Sequence, residues 1–585
     1  MTTLLDTTIP RTLDTLLERF VEPEWPGMLV EAWVFEDQAA RREAAAQLAV
    51  RGFNAVIRSA YKPLVHAFLE EIDLAGVTAV TIYLPTEDAA PGRFQVEAYP
   101  LPGLLAPVPV SFAPGTTPDH YVVGLSRDGA GDEYLYVFAP NRRRADPIGR
   151  PALSPCGWLR TFPPGCPVPN HNAALPTDYE SAFDAVVAAV RGHAWPDATP
   201  FFETLEIAIG IGGIERKLAW HDECLSTREA LHEDLYFSLL ELFQQIGGRA
   251  PGDREFQPGQ IVPLIGAAPG PTTVQLRLVP HRPWAQRAQE PESLEQASRP
   301  LTELQLAEAM AAVGGTPFGA TSVQGRPVRG TYIAGSDPGL VISSGQHANE
   351  TSGVIGALRA AHRLRQRSGA HFALIAQENP DGYALHHRLR AQNPRHMHHA
   401  ARFTALGDDL EYRGGAALHE KAARLEAFRL TGTALHLNLH GYPAHEWTRP
   451  LTGYLPTGYE PYALPKGFFL IMRHHPGLAD TAHAFLAALT ERLIRDPGLA
   501  VLNADQIAAY QAHLGAIGHP IYNGIVCIVG ENARQVPAFT LVTEFPDETI
   551  YGDAFRLAHT TQMNTVLHAA ELVLDHAALN TGVMA

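Results

Sequence analysis

A strand, a turn and a helix in succession constrain the fold of this chain more than any other stretch. Residues 339–342 (Gly-Leu-Val-Ile) are an apolar run typical of a buried strand, and residues 354–361 have the periodicity of an amphipathic helix. His347 and Glu350 lie in the turn between them. In an open α/β sheet, ligands bind at the carboxyl ends of strands. An imidazole and a carboxylate three residues apart on such a turn can both reach one metal ion.

Spacing alone does not identify a metal site. A chain with 27 His places a Glu three residues after a His about once or twice by chance. His568 and Glu571 repeat the spacing in the C-terminal helical stretch, residues 554–578, where the pattern indicates a solvated helix face. For His347 and Glu350 the strand–turn–helix context favours a metal site, which then needs a third ligand and a base.

The predicted strand at residues 435–440 offers the third ligand. Its three leucines share one face, and His436, Asn438 and His440 share the other. The two histidines are then about 13 Å apart, so they cannot bind the same ion. His440 ends the strand and is the better ligand. Asn438 could orient a ligand ring by a hydrogen bond without binding the metal itself. His436 fits a core histidine whose hydrogen bonds are satisfied.

A candidate base comes near the end of the chain, in the apolar strand at residues 539–546, which carries Glu544. A carboxylate buried there costs several kcal/mol unless it is paired or its pKa rises. A raised pKa beside a metal-activated water suits a general base. The alternative is a surface glutamate at a strand terminus.

Composition excludes several classes of protein. The net charge of −17, from 45 basic and 62 acidic side chains, disfavours nucleic-acid binding. We expect no membrane span, because no run of about 18 apolar residues occurs, and no secretory signal. Four cysteines with no Cys-x-x-Cys pair fit a reducing, cytoplasmic setting; Cys156 and Cys166 could bridge only in an exported protein.

At 585 residues the chain is too long for one core. We predict an N-terminal α/β and Pro/Gly-rich region (1–175) with one strand (133–138) after residue 101, and an accessory helical and strand region (176–290). A polar linker (289–300) leads to a catalytic domain (300–580). Strands alternate with helices there, which favours an α/β domain with a mixed, mostly parallel sheet between helices, preceded by an α+β N-terminal region. Residues 232–234 (His-Glu-Asp) are expected to form a solvated or interface cluster.

The chain from about residue 301 to 580 resembles the zinc carboxypeptidases of the M14 type. The match consists of four motifs in the family's order: His-x-x-Glu (347–350), Asn-Pro-Asp-Gly-Tyr (379–383), Leu-His-Gly-Tyr (439–442) and Thr-Glu (543–544). Deacylases of the aspartoacylase and succinylglutamate desuccinylase types share the first and last motifs. The Asn-Pro-Asp-Gly-Tyr turn favours the peptidase branch.

The resemblance implies a zinc-dependent metallopeptidase that hydrolyses a peptide or small amide substrate. The implied zinc ligands are His347, Glu350 and His440, with Glu544 as general base and acid. The resemblance further implies an arginine that polarises the scissile carbonyl. Arg390 is our candidate, ahead of Arg388, which could also bind substrate, and Arg395.

Substrate recognition departs from the family pattern. Members that trim C-terminal residues bind the free carboxylate with an Asn-Arg pair, but Glu411 and Tyr412 stand at the corresponding place. Either Arg413, at the next position, binds the carboxylate in place of this pair, or the substrate lacks a free α-carboxylate there. Tyr522 is the candidate for the family tyrosine that closes over the substrate, with a plain loop tyrosine as the alternative. Residues 445–449 are expected to line the pocket.

Two other readings stay open. The first is a zinc deacylase of N-acyl amino acids, and the second is a metal-free binding protein on the same fold. Zinc content separates the second from the enzymes, and a substrate panel separates the two enzymes from each other. A homo-oligomer is possible, and the sequence does not give the role of residues 1–290.

Overall fold

The structure is a computed structural model of the 585-residue chain. It describes residues 1–86, 92–129, 131–281, 289–290, 292–415, 417–433, 435–454 and 462–575. Residue 291 of the predicted linker and residues 576–578 of the predicted C-terminal helix lie outside these ranges. Within them, no helix combines the length and the apolar character that crossing a membrane requires.

The first half of the chain alternates strands with helices. Its strands are β1 (Thr2–Ile9), β2 (Leu29–Val34), β3 (Asn54–Ser59), β4 (Val77–Leu84), β5 (Val110–Pro114), β6 (His120–Arg127), β7 (Glu133–Phe138), β8 (Asn141–Ala145), β9 (Pro151–Pro155), β10 (Trp158–Phe162), β11 (His171–Ala174), β12 (Thr204–Ile211), β13 (Glu215–Lys217), β14 (Cys224–Ser226), β15 (Gln260–Ala267) and β16 (Thr272–Val279). Its helices are α1 (Thr12–Arg19), α2 (Gln38–Val50), α3 (Pro63–Glu70), α4 (Arg93–Glu97), α5 (Leu101–Leu104), α6 (Asp178–Gly192) and α7 (Thr227–Ile246).

Three four-stranded sheets organise this half, in the orders β1-β16-β12-β15, β11-β10-β2-β3 and β5-β4-β6-β7. β1 pairs antiparallel with β16, so that Thr2 lies opposite Leu278. Seven strands, β5 to β11, lie between residues 101 and 175, where the sequence predicted one. Some of the residues that suggested irregular structure there, such as Gly149 and Gly165, lie in turns between short strands, whereas Pro114, Pro151 and Pro155 lie at the ends of strands.

The second half begins with a helix and then builds one large sheet. Its strands are β17 (Thr316–Thr321), β18 (Pro327–Ile333), β19 (Leu340–Ser344), β20 (Phe372–Ile375), β21 (Leu435–Pro443), β22 (Phe469–His474), β23 (Ile521–Tyr522), β24 (Ile525–Glu531) and β25 (Phe539–Glu548). Its helices are α8 (Glu303–Val313), α9 (Ser352–Leu364), α10 (Pro380–Gln392), α11 (Lys421–Thr431), α12 (Ala479–Leu493), α13 (Pro497–Leu514) and α14 (Asp553–Asp575), with two 3-10 turns at His399–Ala401 and Pro450–Thr452.

The large sheet has the strand order β17-β18-β20-β19-β21-β25-β22-β24-β23. The central strands β20, β19, β21 and β25 run parallel to one another. Among the described strands, four of the eight neighbouring pairs are parallel. The mixed α/β sheet is therefore confirmed, but the expected parallel majority is not found, because antiparallel strands flank the central four on both sides.

Helices cover both faces of this sheet, as predicted. On one face, α9, α12 and α14 share a hydrophobic core with the leucines of β21. On the other face, α11 packs against Val341 and Ala373. The ring of His436 contacts Phe428 of α11, so the polar face of β21 lies opposite its leucine face. The alternation read from the sequence thus separates a core face from the face that carries His440.

The first half packs directly against the second half. One hydrophobic cluster contains Phe237 and Phe243 of α7 together with Leu389, Met397 and Trp447. Burial of apolar surface of this kind stabilises an interface by roughly 25 cal/mol per Å². No pattern in the sequence indicated this contact. The division of the first half at residue 175 stays a prediction.

Candidate functional site

The turn between β19 and α9 carries His347 and Glu350 at the carboxyl end of β19. Gly345 begins the turn with φ +66°, and a Cβ there would lie 2.0 Å from Gln377 Oε1, so the position requires glycine. β21 runs parallel beside β19, and β25 runs parallel beside β21, with His440 opposite Glu544. Three neighbouring parallel strands therefore bring these four side chains to one edge.

Three of these side chains form a compact group, which we name the His347 cluster: His347, Glu350 and His440. Nδ1 of His347 lies 2.8 Å from Glu350 Oε1 and 3.0 Å from Nδ1 of His440. Nδ1 of His440 lies 2.9 Å from Glu350 Oε2. All three side chains are buried. Their donor atoms are close enough together to hold one metal ion.

Neighbouring groups fix the orientation of the cluster. Nε2 of His347 lies 3.4 Å from Asp409 Oδ2, and Gln346 donates to the other oxygen of Asp409 at 3.0 Å. The backbone N–H of Gly441 donates to Glu350 at 3.1 Å. Gln562 donates to the carbonyl of His440 at 2.7 Å. Sequence reasoning missed Asp409, which lies in an irregular segment with no periodic pattern.

The electrostatics of the cluster favour positive charge. Burial and Arg402 oppose protonation of His347, but Glu350 and Asp409 outweigh them and raise its pKa. Burial alone would raise the pKa of Glu350, whereas His347 and His440 hold that pKa far below its usual value. The pKa of Asp409 is lowered in the same way, because His347 outweighs burial. Two ionised carboxylates thus contact His347, Glu350 at Nδ1 and Asp409 at Nε2, and their negative charge favours a cation.

Glu544 lies in β25, between His440 of β21 and Phe469 of β22. Its side chain is buried, at 7% exposure. Burial, and secondarily the negative charge of Glu350, raise its pKa well above the usual value, although Arg402 and Lys466 oppose the shift. The environment that the sequence predicted for this carboxylate, buried with a raised pKa, is the one found.

The arginine beside the cluster is Arg402, whose Nη1 donates to Glu350 Oε1 at 2.7 Å. It follows the 3-10 turn at His399–Ala401, and Asn379, the N-cap of α10, holds its backbone carbonyl at 3.4 Å. The three arginines singled out in the sequence lie elsewhere. Arg390 stacks on Tyr551, whereas Arg388 and Arg395 form ion pairs with first-half carboxylates, Glu206 and Asp222 respectively.

The candidates for substrate binding are engaged with other partners. Arg413 is buried and forms ion pairs with Asp408, at 2.6 Å, and with Glu420. Glu411, half-exposed, pairs with Arg424 at 2.5 Å. The guanidinium of Arg413 is therefore already paired with carboxylates, and Glu411 supplies no positive charge.

Tyr522 also lies away from the cluster. It is on the edge strand β23, three strands beyond β25 and so about 14 Å from it. Its hydroxyl lies 2.8 Å from His483 Nδ1. Tyr462 is nearer to the site: its ring lies 6.1 Å from that of Phe469, the β22 residue opposite Glu544, and burial, with the charge of Glu544, raises its pKa.

The other histidines discussed in the sequence analysis lie in different environments from the His347 cluster. His436 is buried and bonds Ser343 Oγ at 2.7 Å, as a core histidine does. His568 is on α14, partly exposed, 3.5 Å from Glu571. Residues 232–234 are fully buried between the two halves, where Asp234 accepts from Leu451 N at 2.9 Å, so they form an interface cluster that is not solvated.

Residues 445–449, which were expected to line the pocket, contact the first half of the chain. Arg449 forms an ion pair with Glu241 of α7, at 2.9 Å. Glu446 is paired with Lys62, and the Trp447 ring stacks 5.4 Å from Phe237. The segment that follows the third member of the cluster is therefore held by the first half.

No family model matches this chain, and no curated protein matches it. Similar solved structures include a metallo-carboxypeptidase from Burkholderia cenocepacia (15% identity, 52% of this chain and 76% of that chain covered, TM-score 0.29). The thrombin activatable fibrinolysis inhibitor TAFI is also similar (11%, 48% and 76%, 0.30), as is the murein-tripeptide amidase MpaA from Escherichia coli O157 (16%, 46% and 96%, 0.22). Similarity at this level does not assign a family, so function has to be argued from the site.

Proposed function

We propose that this chain is a zinc-dependent hydrolase that cleaves a peptide or amide bond in the manner of a carboxypeptidase. The observation that carries the proposal is the convergence of the His347 cluster, with separations of 2.8, 2.9 and 3.0 Å, beside Glu544 on the adjoining strand. Two imidazoles and one carboxylate with a free fourth position are the protein ligands of catalytic zinc sites.

The donor atoms suit zinc in type and in spacing. Tetrahedral ligands at about 2.0–2.1 Å from zinc lie about 3.3 Å from one another, within half an ångström of the separations in the cluster. Nδ1 of His347 faces Nδ1 of His440, and a cation between them satisfies both nitrogens. Asp409 on the far nitrogen of His347 fits the carboxylate that orients a metal-bound histidine. When bound, zinc would lower the pKa of a water molecule and polarise the scissile carbonyl.

Glu544 is the base in this proposal. It would take a proton from the attacking water and deliver it to the leaving amine. Its raised pKa supports this role, because a carboxylate of higher pKa accepts a proton more readily. Burial also keeps bulk water from competing for that proton.

We assign stabilisation of the developing oxyanion to Arg402 in place of Arg390, because Arg402 is the arginine in contact with Glu350. Arg402→Ala is expected to lower kcat by about 10²–10³-fold, the usual effect of removing one oxyanion donor. Arg390→Ala removes the same residue type from α10 and is the matched control, with kinetics close to wild type. Steady-state kinetics and zinc analysis measure both. A larger loss in Arg390→Ala than in Arg402→Ala would contradict the assignment.

Recognition of the terminal carboxylate is altered in this proposal. Arg413 is neutralised by Asp408 and Glu420, and Arg424 by Glu378 and Glu411. A bidentate arginine is the strongest anchor for a carboxylate, and both of these are already committed. We therefore expect a substrate whose end at this position is an amide, a basic group or a non-standard peptide terminus.

A substrate panel tests this proposal. It pairs each peptide with its C-terminal amide and adds a set of N-acyl amino acids, with Glu544→Gln protein as the blank. We expect kcat/KM at least tenfold higher for the amidated member of a pair, a difference of about 1.4 kcal/mol. Efficient release of C-terminal residues from free peptides would refute the altered recognition. Hydrolysis of N-acyl amino acids alone would favour the deacylase instead.

A further inference from the structure

A second group of metal-ligating side chains comes together outside the His347 cluster. It consists of Cys224, Glu229 and His445, which we name the Cys224 cluster. Nε2 of His445 lies 2.7 Å from Glu229 Oε1, and Cys224 Sγ lies 3.9 Å from Glu229 Oε2. One donor atom from each of the three lies within 4.8 Å of the others. Glu229 and His445 are buried, and Cys224 is partly buried.

The fold positions each of these side chains by local structure. Cys224 begins β14, and Ser226 caps α7 by accepting from the backbone N–H of Glu229 at 3.0 Å. This cap fixes Glu229 in the first turn of the helix. His445 follows the end of β21 by two residues. The cluster therefore joins the first half of the chain to the segment that also carries His440.

The hydrogen bonds around His445 leave one nitrogen facing a carboxylate. Thr549 donates its hydroxyl proton to Asp222 at 2.9 Å, so it can only accept from Nδ1 of His445, 3.1 Å away. In a neutral ring, Nε2 then carries a lone pair, which points at Glu229. Either a second proton or a metal ion must lie between Nε2 and the carboxylate. A metal-binding histidine has this arrangement, with its other nitrogen donating to a fixed acceptor.

The surroundings contain an excess of acidic groups. Glu223 and Glu446 are buried beside the cluster: Glu446 N donates to Glu223 at 3.0 Å, and Lys62 pairs with Glu446. Three buried carboxylates, counting Glu229, thus lie beside the Lys62 ammonium and the His445 ring, and Tyr99 donates its hydroxyl proton to Glu223 at 2.6 Å. Buried charges are costly unless paired or bound to a metal ion, and a divalent cation restores the balance.

The ligand types fit a zinc-class ion. A thiolate, an imidazole and a carboxylate are zinc ligands, at about 2.3, 2.0 and 2.0 Å, which sets ligand separations of about 3.3–3.5 Å. The two distances to Glu229, 2.7 Å from His445 and 3.9 Å from Cys224, lie about half an ångström from these separations.

We propose that Cys224, Glu229 and His445 form a second divalent-metal site, of the zinc class, which fastens α7 to the segment after β21. The metal links the first half of the chain to the strand end that carries His440. This gives residues 1–290 a role in fixing the catalytic edge. The role at the catalytic edge rests on the proposed hydrolase activity, but the second site is tested separately, because the His347 cluster contains no thiol and cannot give a thiolate signal.

Cobalt substitution of the full-length chain tests the proposal. The chelator-treated protein is titrated with Co²⁺, which gives a near-ultraviolet charge-transfer band only when a thiolate is a ligand. We expect two equivalents bound and the thiolate band present. Cys224→Ser loses the band and one equivalent, whereas the exposed Cys166→Ser keeps both. His347→Ala loses one equivalent but keeps the band.

The wild-type titration decides the outcome even if a variant folds poorly. A chain that binds Co²⁺ without any thiolate band, or that binds none, overturns the second site and leaves a hydrogen-bonded triad with a protonated His445. A band that survives in Cys224→Ser also overturns it. His445→Gln is the second variant, expected to weaken the band while circular dichroism stays that of wild type.

Discussion

Replacing Glu544 with glutamine is expected to lower kcat/KM by about 10²–10⁴-fold, the usual range for the loss of a general base. The amide keeps the shape of the side chain but cannot accept the proton of the attacking water. Glu544 is only 7% exposed, and replacing a buried charge with a neutral amide removes a desolvation cost. Zinc content and thermal stability are therefore expected to match wild type. Kinetics on the best substrate of the panel, with metal analysis, measure the effect.

The control is Glu531→Gln, which makes the same change at the exposed end of β24 in the same sheet and is expected to leave kcat/KM unchanged. The pH profile gives a second readout, since catalysis needs ionised Glu544 and kcat/KM falls as pH drops through its pKa. Burial and Glu350 raise that pKa, so the acid limb is expected above 4.5. Wild-type activity in Glu544→Gln would remove this residue from the mechanism.

Removing either imidazole of the His347 cluster is expected to have the largest effect of all. His347→Ala and His440→Ala each take away one of three protein ligands, and we expect zinc affinity to fall by more than about 100-fold. Activity is expected to fall by about 10³-fold or more, because water without the metal has a pKa of about 15.7 and not about 7. Metal analysis after dialysis and steady-state kinetics measure the two losses.

His568→Ala is the matched control for these variants. His568 precedes Glu571 with the same spacing that His347 has to Glu350, but it lies partly exposed on α14. Its zinc content and activity are expected to equal those of wild type. Retention of full activity by His347→Ala or His440→Ala, with the metal still bound, would show that the reaction takes place elsewhere.

The elements that the sequence predicted well are those with local periodicity. β7 occupies the residues predicted, β21 begins at the predicted residue 435, and α9 contains the predicted helical stretch 354–361, because alternation and helical spacing are read within a few residues. Pairing between distant segments has no such signal. Nothing in residues 2–9 indicates β16 as their partner, and the contact of α7 with Trp447 depends on two surfaces that meet only after folding.

The residues of the site also differ in how well the sequence predicted their positions. The structure brings His347, Glu350 and His440 together and places Glu544 on the adjoining strand. Their convergence follows from predicted parallel strands that end near one edge, although β21 continues to Pro443 and β25 to Glu548. Arg402 and Asp409 lie in irregular segments, where sequence gives no direction to a side chain. Arg388, Arg390 and Arg395 were candidates because they follow the Asn379 turn in the chain, but position in the chain does not fix where a helix points a side chain.

Burial of charged groups was the least predictable feature. Arg413 could be suspected of binding a carboxylate, yet Asp408 and Glu420 neutralise it in the folded chain. Glu233 of α7 was expected at a solvated or interface position, and it is buried against His399, at 2.7 Å. A helix covered on all sides shows no amphipathic pattern, so its charged residues resemble surface residues in the sequence.

An anomalous difference map at the zinc absorption edge, from crystals of the zinc-loaded protein, tests the central claim most directly. We expect a peak about 2.0–2.2 Å from Nδ1 of His347, Nδ1 of His440 and a carboxylate oxygen of Glu350. Zinc-loaded crystals with no peak between these three side chains would contradict it.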